Sequence, residues 1–280
     1  MILRADLHMH TTASDGVLSP SQVVLHAKEK GLNCVAISDH DTMAGIDEAL
    51  HAAASAGLTL IPALEISAGN NGEVHVLGYG ISQNSAHLFA LLRRIKDERV
   101  QRAQRMLDKL AALGMPLEMG EIPARVTGVI GRPQIARAMV GRGYVKDVQE
   151  AFALWLDTGM PAYVERERTE VSDVIRLLCR EGAVAVLAHP GLIRRPVEET
   201  EEQIKGWQKD GLMGLEAYHP AHLPDNYRHW DAFARRHGLL VTGGSDFHAP
   251  KDLKHGEIGQ MVPYWSACDA DVERLLKHLE

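Results

Sequence analysis

Residues 2–10 read ILRADLHMH, an apolar run that ends in two histidines with one residue between them. Residues 239–248 read LLVTGGSDFH, so a second apolar run ends in Asp246 and His248 with the same spacing. Alternate side chains of an extended segment point to the same side. The first and last strands become neighbours only if the sheet closes, as in a barrel. These two stretches therefore indicate a closed sheet with polar side chains gathered at one end.

Seven short apolar runs predict strands, and amphipathic runs between many of them predict helices. Strand–helix alternation favours parallel strands with helices outside, an α/β fold. The predicted strands are 2–7, 34–38, 59–64, 74–79, 184–188, 213–217 and 239–243. The predicted helices in this part of the chain run from Ser19-Pro20 to Gly31 and over 43–56, 170–181, 225–237 and 269–279.

The middle of the chain interrupts this alternation. No convincing strand is found from about 84 to 165, where helices are predicted at 85–113, 133–142 and 147–157. The first of these is rich in arginine and lysine. We expect a barrel domain formed by 1–84 and 166–280, and a helical insertion, 85–165, that caps it and binds substrate.

Composition excludes several classes of protein. The chain has 280 residues and a formal charge of −7. An acidic chain is a poor sequence-independent binder of nucleic acid or anionic lipid, because binding to their phosphates needs basic surface. Three cysteines without a CxxC motif indicate neither a disulfide framework nor a thiolate zinc site. No run approaches the roughly 18 apolar residues of a membrane helix. We expect a cytoplasmic protein without a membrane or obligate protein partner, and the 15 histidines suggest a metal protein.

Histidines and acids gather where the predicted strands end. Each has an ordinary explanation by itself; Asp15-Gly16, for example, is typical of a turn. Because parallel strands of a barrel end on one face, closure would bring these side chains together. Imidazole and carboxylate without thiolate suit zinc, manganese or iron, and so many ligands predict two or three ions. The nine candidates are His8, His10, Asp15, His40, Glu65, His75, His189, Asp246 and His248. Histidines in helix patterns or tails, His255 among them, are interpreted as ordinary surface or packing residues.

Six motifs together resemble the PHP (polymerase and histidinol phosphatase) family: DLHMHTTASDG (6–16), AISDHDT (36–42), ALEIS (63–67), HVLGY (75–79), AHP (188–190) and GSDFHAP (244–250). The resemblance implies a distorted (β/α)7 barrel, similar to amidohydrolases, with up to three metal ions. It also implies three ligand groups: His8, His10, Glu65 and Asp246; Glu65, His75 and His189, with Glu65 bridging; and Asp15, His40 and His248. Some family members have histidine where this chain has Asp15, and the added oxygen ligand favours manganese.

The predicted insertion resembles that of a bacterial PHP subfamily that acts on nucleotides, through Arg99-x-x-Arg102 and GRPQIA at 131–136. The resemblance implies hydrolysis of the 3′-phosphate of 3′,5′-bisphosphonucleotides such as phosphoadenosine phosphate. Many relatives have histidine where this chain has Gln134, so the exact substrate stays open. The alternatives are a 5′-3′ exoribonuclease on short RNA, a histidinol-phosphatase-like phosphomonoesterase, a non-catalytic metal-binding module and deamidase-type hydrolysis.

Phosphate hydrolysis at such a centre needs a nucleophile, a proton donor and cationic contacts. We expect metal-bound hydroxide to attack the phosphate, with His219 as a candidate proton donor to the leaving oxygen. Two or three divalent ions, Mn²⁺ first and Zn²⁺ or Fe²⁺ as alternatives, would leave the site positive. Glu216 is expected to orient a ligand histidine. The candidate substrate contacts are Arg99, Arg102, Arg132, Gln134, Arg194, Arg195 and His248.

Overall fold

The structure, a computed structural model, describes residues 3–69, 73–122, 131–167, 169–252, 255–265 and 267–280. The chain divides into two compact units. The first unit comprises Met1–Phe89 and Arg168–Glu280, and the second comprises Ala90–Glu167.

The first unit is built on a seven-stranded sheet whose order follows the chain, from β1 to β7. Leu7 N donates to Gly243 O at 3.1 Å and Asp246 N donates to His8 O at 2.8 Å, so the two ends of the sheet meet. The predicted closed α/β sheet is therefore confirmed. The strands are β1 (Ala5–Asp6), β2 (Cys34–Ile37), β3 (Thr59–Ala68), β4 (Val74–Tyr79), β5 (Val184–Leu187), β6 (Gly214–Tyr218) and β7 (Leu240–Gly243).

Strand β4 departs from the predicted parallel arrangement. It runs antiparallel to both β3 and β5, while the other neighbouring strands are parallel. The prediction of parallel strands is therefore wrong for β4. Residues 69–73 join β3 to β4, and a parallel crossover needs about a dozen residues or more. The reversal puts the start of β4, and not its end, at the edge where the other strands end.

Helices follow most strands of the first unit. Helix α1 begins as predicted, because Ser19 Oγ accepts from Gln22 N at 3.3 Å and Pro20 occupies the first turn. Helix α7 was not among the predicted helices, since its buried apolar positions are few. The helices of this unit are α1 (Pro20–Glu29), α2 (Ile46–Ala56), α6 (Val171–Arg180), α7 (Val197–Asp210), α8 (Pro224–Arg236) and α9 (Cys268–Leu279), and α3 (Ala86–Ala112) begins in it.

The second unit is helical and has its own apolar core. It contains most of α3, then α4 (Arg132–Gly141) and α5 (Val148–Ala151), which continues as a π-helical turn over Phe152–Leu156. Leu110, Ile135 and Met139 are completely buried in this core. Within the described part of the chain, no helix of either unit has the length and apolar character needed to cross a membrane.

Candidate metal centre

Four buried side chains of the first unit converge at the end of the sheet. His8 and His10 follow β1, Glu65 lies in β3 and Asp246 follows β7. The Nε2 atoms of His8 and His10 are 3.1 Å apart, and Glu65 Oε2 is 3.3 Å from each. Asp246 Oδ1 lies 3.3 Å from His8 Nε2 and 3.0 Å from His10 Nε2.

These spacings, 3.0–3.3 Å, are close to those between donors that share a divalent cation. Ligand atoms bound tetrahedrally at about 2.0–2.2 Å from zinc lie about 3.3–3.6 Å from one another. Glu65 Oε2 and His40 Nδ1 are buried and lie 2.8 Å apart, but their geometry does not make a hydrogen bond. Neither atom has another hydrogen-bond partner among the described residues. A buried carboxylate oxygen without a donor is costly, and a cation would satisfy it. The side chains present therefore suit a metal ion.

The other oxygen of Glu65 faces a second set of donors. Glu65 Oε1 is 2.7 Å from His75 Nδ1 and 3.0 Å from His189 Nε2. His75 reaches this edge because the antiparallel β4 starts there. Since the two oxygens of Glu65 face different histidines, its carboxylate can bridge two ions.

A third set of donors surrounds Asp15. His248 Nε2 lies 3.2 Å from Asp15 Oδ1, and the His10 ring stacks on His248 with centroids 4.2 Å apart. The His40 ring is 4.4 Å from that of His10. All nine residues predicted as metal ligands thus lie in one region of the first unit. His10 takes part in two sets of donors.

The charges in this region stabilise one another. Burial opposes the charged form of His10, but the hydrogen bond with Asp246 and the charges of Asp246 and Glu65 outweigh it and raise its pKa to about 10. Burial likewise opposes ionisation of Glu65, yet the charges of His40, His75 and His8 hold its pKa well below the usual range. Without metal, protons on histidines therefore take the place of cations between the carboxylates.

Two side chains behind the candidate ligands hold them in orientation through hydrogen bonds. Glu216 Oε1 is 2.9 Å from His8 Nδ1, and Glu216 Oε2 accepts from His189 N at 2.9 Å. His219 Nδ1 accepts from Ala221 N at 3.1 Å, which places the proton of the neutral ring on Nε2, 3.3 Å from Asp246 Oδ2. This geometry suits His219 to holding Asp246 as well as to the predicted role of proton donor.

The backbone at two of the candidate ligands is unusual. His189 has φ 27° and Asp246 has φ 51°, in the left-handed region that residues other than glycine seldom occupy. Such conformations persist where the surroundings impose them, and they concentrate at functional sites.

Sequence reasoning missed two residues at this centre. Asp39 accepts hydrogen bonds from Thr11 N and Thr11 Oγ1, both at 2.7 Å, and from Ser14 Oγ at 2.6 Å, which secures the loop after His10. The His255 ring stacks on His248 with centroids 4.0 Å apart, so its interpretation as an ordinary residue omitted a contact with the site. The available signal was its position in the segment that follows His248.

The predicted substrate contacts are divided between the units. In the second unit, the guanidinium groups of Arg102 and Arg132 lie 5.7 Å and 5.8 Å from the centroid of the Tyr163 ring. Gln134 Oε1 accepts from Gly131 N at 3.1 Å and so caps α4, while Arg99 is half-buried. In the first unit, Arg194 is exposed and Arg195 donates to Glu73 and Gln203. His248 is the remaining candidate, within the donor sets described above.

Comparisons with known proteins agree with the predicted family. Residues 6–158 match the PHP domain. A 3′,5′-nucleoside bisphosphate phosphatase from Chromobacterium violaceum is 32% identical, with 96% of this chain and 98% of the relative aligned. A 5′-3′ exoribonuclease from Haemophilus influenzae is 35% identical over 95% of this chain and 99% of its own. A Bifidobacterium adolescentis structure described as a metal-dependent phosphoesterase has a TM-score of 0.84 at 32% identity, covering 99% of this chain and 97% of that one.

Proposed function

The chain belongs to the PHP family and is a metal-dependent phosphoric ester hydrolase, and from this premise we propose that it removes the 3′-phosphate of 3′,5′-bisphosphonucleotides, such as phosphoadenosine phosphate. The products would be a 5′-mononucleotide and inorganic phosphate. The observation that carries the proposal is the convergence of four buried side chains, His8, His10, Glu65 and Asp246, in which the two Nε2 atoms are 3.1 Å apart and each lies 3.0–3.3 Å from an oxygen of both carboxylates.

The nine candidate ligands would hold two or three divalent ions. When bound, such ions neutralise phosphoryl oxygens and make water a nucleophile near neutral pH. The donors are nitrogen and oxygen without sulfur, which suits Mn²⁺, Zn²⁺ or Fe²⁺, and the Asp15 oxygen favours Mn²⁺. Glu216 would keep the His8 ring in place, and His219 would hold the outer oxygen of Asp246.

A bisphosphate brings a second phosphate, and we assign its recognition to Arg102 and Arg132. Burial lowers the pKa of Arg102, and the charge of Arg132 lowers it further. Arg102 Nη2 is buried without a hydrogen-bond partner in the described part of the chain. Two guanidinium groups on one tyrosine ring, one with a free buried donor, suit a phosphate dianion. Arg195 suits it less, because Glu73 and Gln203 already accept from its guanidinium group.

A substrate panel tests this function. Purified protein with added Mn²⁺ is given a 3′,5′-bisphosphonucleotide, a 5′-mononucleotide, histidinol phosphate and a short 5′-phosphorylated RNA. We expect phosphate release from the bisphosphate with the highest kcat/KM. Faster hydrolysis of histidinol phosphate, or none of the bisphosphate, would contradict the proposal.

The second candidate function is 5′-3′ exonuclease activity on short RNA. It is supported by the Haemophilus influenzae relative, which bears that name. The same panel separates the two functions, because an exonuclease releases mononucleotides from the RNA whereas a phosphatase releases only phosphate. We also propose a cytoplasmic location, which the three free cysteines suit, since reducing compartments keep thiols reduced.

A further inference from the structure

A cavity of about 310 Å³ lies in the first unit, at the end of the sheet where the candidate metal ligands gather. Its walls come from the turn at Pro190–Leu192 and from the first turns of α7 and α8. These segments follow β5 and β6 in the chain, so the cavity is at the same end of the sheet as the metal-binding donors. Pro190 is also the residue directly after His189, one of the candidate ligands.

The walls combine apolar and polar surface in similar amounts, and the polar lining residues besides Asn226 are Arg195, Thr200, Asp225 and His229. Pro190, Ile193, Val197 and the buried Trp230 supply apolar surface, and Asn226 supplies an amide. The same three segments expose large apolar side chains to solvent: Leu192 at 44%, Val197 at 44% and Leu223 at 70%. A cavity with mixed apolar and polar walls, formed by segments that also expose apolar side chains, is typical of a site for a small ligand with apolar faces and polar edges.

The wall next to the metal centre is rigidly held. Gly191 N donates to His222 Nε2 at 3.1 Å, and His222 Nδ1 donates to Ala217 O at 2.9 Å. A Cβ on Gly191 would lie 2.8 Å from the His222 ring and 3.1 Å from Asn226 Nδ2, so a larger residue would collide with the His222 ring and crowd Asn226. The cavity is therefore fixed relative to His189, two residues before Gly191.

We propose that this cavity binds the nucleobase of the nucleotide whose phosphate lies at the metal centre, an inference that rests on the proposed function. A base is planar, with apolar faces and hydrogen-bonding edges, and the cavity offers Pro190, Ile193 and Val197 for the faces and Asn226 for an edge. Its volume of about 310 Å³ is at the lower end of the range of about 300–1,000 Å³ typical of small-molecule sites. It suits one base better than a longer stretch of RNA.

Calorimetry on the full-length protein with Mn²⁺ tests the proposal with two ligands that differ only in the base: adenosine 5′-monophosphate and ribose 5-phosphate. Val197→Trp fills the cavity, and Val148→Trp is the matched control, because each valine is exposed and is the first residue of a helix. We expect wild type to bind the nucleotide at least about tenfold more tightly than the sugar phosphate, the usual effect of one stacked base. Val197→Trp should remove that difference and leave the affinity for ribose 5-phosphate unchanged, while Val148→Trp should change neither.

A second variant, Asn226→Ala, tests the polar edge if Val197→Trp fails to fold. It should weaken the binding of the nucleotide by about three- to tenfold and leave the binding of ribose 5-phosphate unchanged. The proposal is overturned if wild type binds both ligands equally, or if the variants leave nucleotide binding intact. It is also overturned if the variants weaken the binding of both ligands equally, since the cavity would then hold the phosphate or the ribose. Failure of the proposed function is a separate result: no phosphate release from a bisphosphate while the preference for the base persists.

Discussion

Glu216 is buried behind the proposed metal centre, where its two oxygens contact His8 Nδ1 and the backbone of His189. Glu216→Gln keeps the size of the side chain and removes its charge. Loss of such a partner typically weakens metal affinity about 10- to 100-fold, because the ligand histidine loses orientation and basicity. We expect a loss of that size for Mn²⁺, measured by calorimetry, together with recovery of activity at high Mn²⁺.

Glu181→Gln is the matched control, since Glu181 Oε1 is 3.0 Å from His87 Nδ1 in an exposed pair that includes none of the candidate ligands. Equal Mn²⁺ affinities for the two variants would show that Glu216 does not position His8.

Arg132 decides, in our proposal, how the second phosphate is recognised. Arg132→Ala should raise KM for a bisphosphate by about tenfold or more, because a charge-assisted pair of hydrogen bonds is lost. KM for a simple aryl phosphate, which has no second phosphate, should stay within about twofold of wild type. Steady-state kinetics on both substrates measure this, and an equal rise for both would remove Arg132 from this role.

At the scale of elements, the ends of the sheet meet where β1 and β7 lead into the metal-binding segments. Gly244 directly follows β7, and a Cβ at this position would lie 2.3 Å from the Cβ of His8 and 2.6 Å from its backbone nitrogen. The sheet can close here only because residue 244 has no side chain. Closure of the sheet and the gathering of the candidate metal ligands therefore depend on the same close approach.

Gly244→Ala should accordingly lower both stability and metal content. We expect a loss of about 2 kcal/mol or more in the free energy of unfolding, as for other overpacked sites, with a matching fall in bound Mn²⁺. Gly206→Ala is the control, because Gly206 lies within α7 with open space around it, and alanine there should stabilise the helix by about 0.5–1 kcal/mol. Denaturant unfolding and metal analysis give both quantities, and equal stability of the two variants would refute the close-contact argument.

At the scale of the whole molecule, a net charge of −7 would oppose phosphate binding if it were spread evenly. The charged side chains are instead concentrated in particular regions of each unit. Buried carboxylates in the first unit are balanced by histidine protons without metal and by cations with it. Arginines concentrate in the second unit, where Arg102 and Arg132 contact one tyrosine ring.

Metal binding should therefore be coupled to protons. The pKa of His10 is raised to about 10 without metal, so this ring is protonated at pH 7 and must lose its proton to become a ligand. We expect Mn²⁺ affinity to rise between pH 6 and pH 8, by about tenfold per pH unit for each proton displaced. Calorimetry in two buffers of different ionisation enthalpy counts the protons released. An affinity independent of pH would contradict this arrangement.

Much of the fold and of the candidate site follows from the sequence alone. Short apolar runs locate all seven strands, because a strand buried in a sheet needs apolar side chains along its length. The paired motifs at His8 and Asp246 predict closure, since only closure makes the first and last strands neighbours. The nine candidate ligands could be named because each lies at or near the end of a predicted strand.

Other features depended on tertiary structure. The direction of β4 is decided by the short connection from β3, and that direction brings His75 to the metal-binding edge. The contacts of Glu216, His219 and His255 join residues on different segments, and no local pattern in the sequence encodes such distances. Strand periodicity and turn chemistry are local properties of the chain, whereas the separation of two donor atoms depends on how all the strands pack.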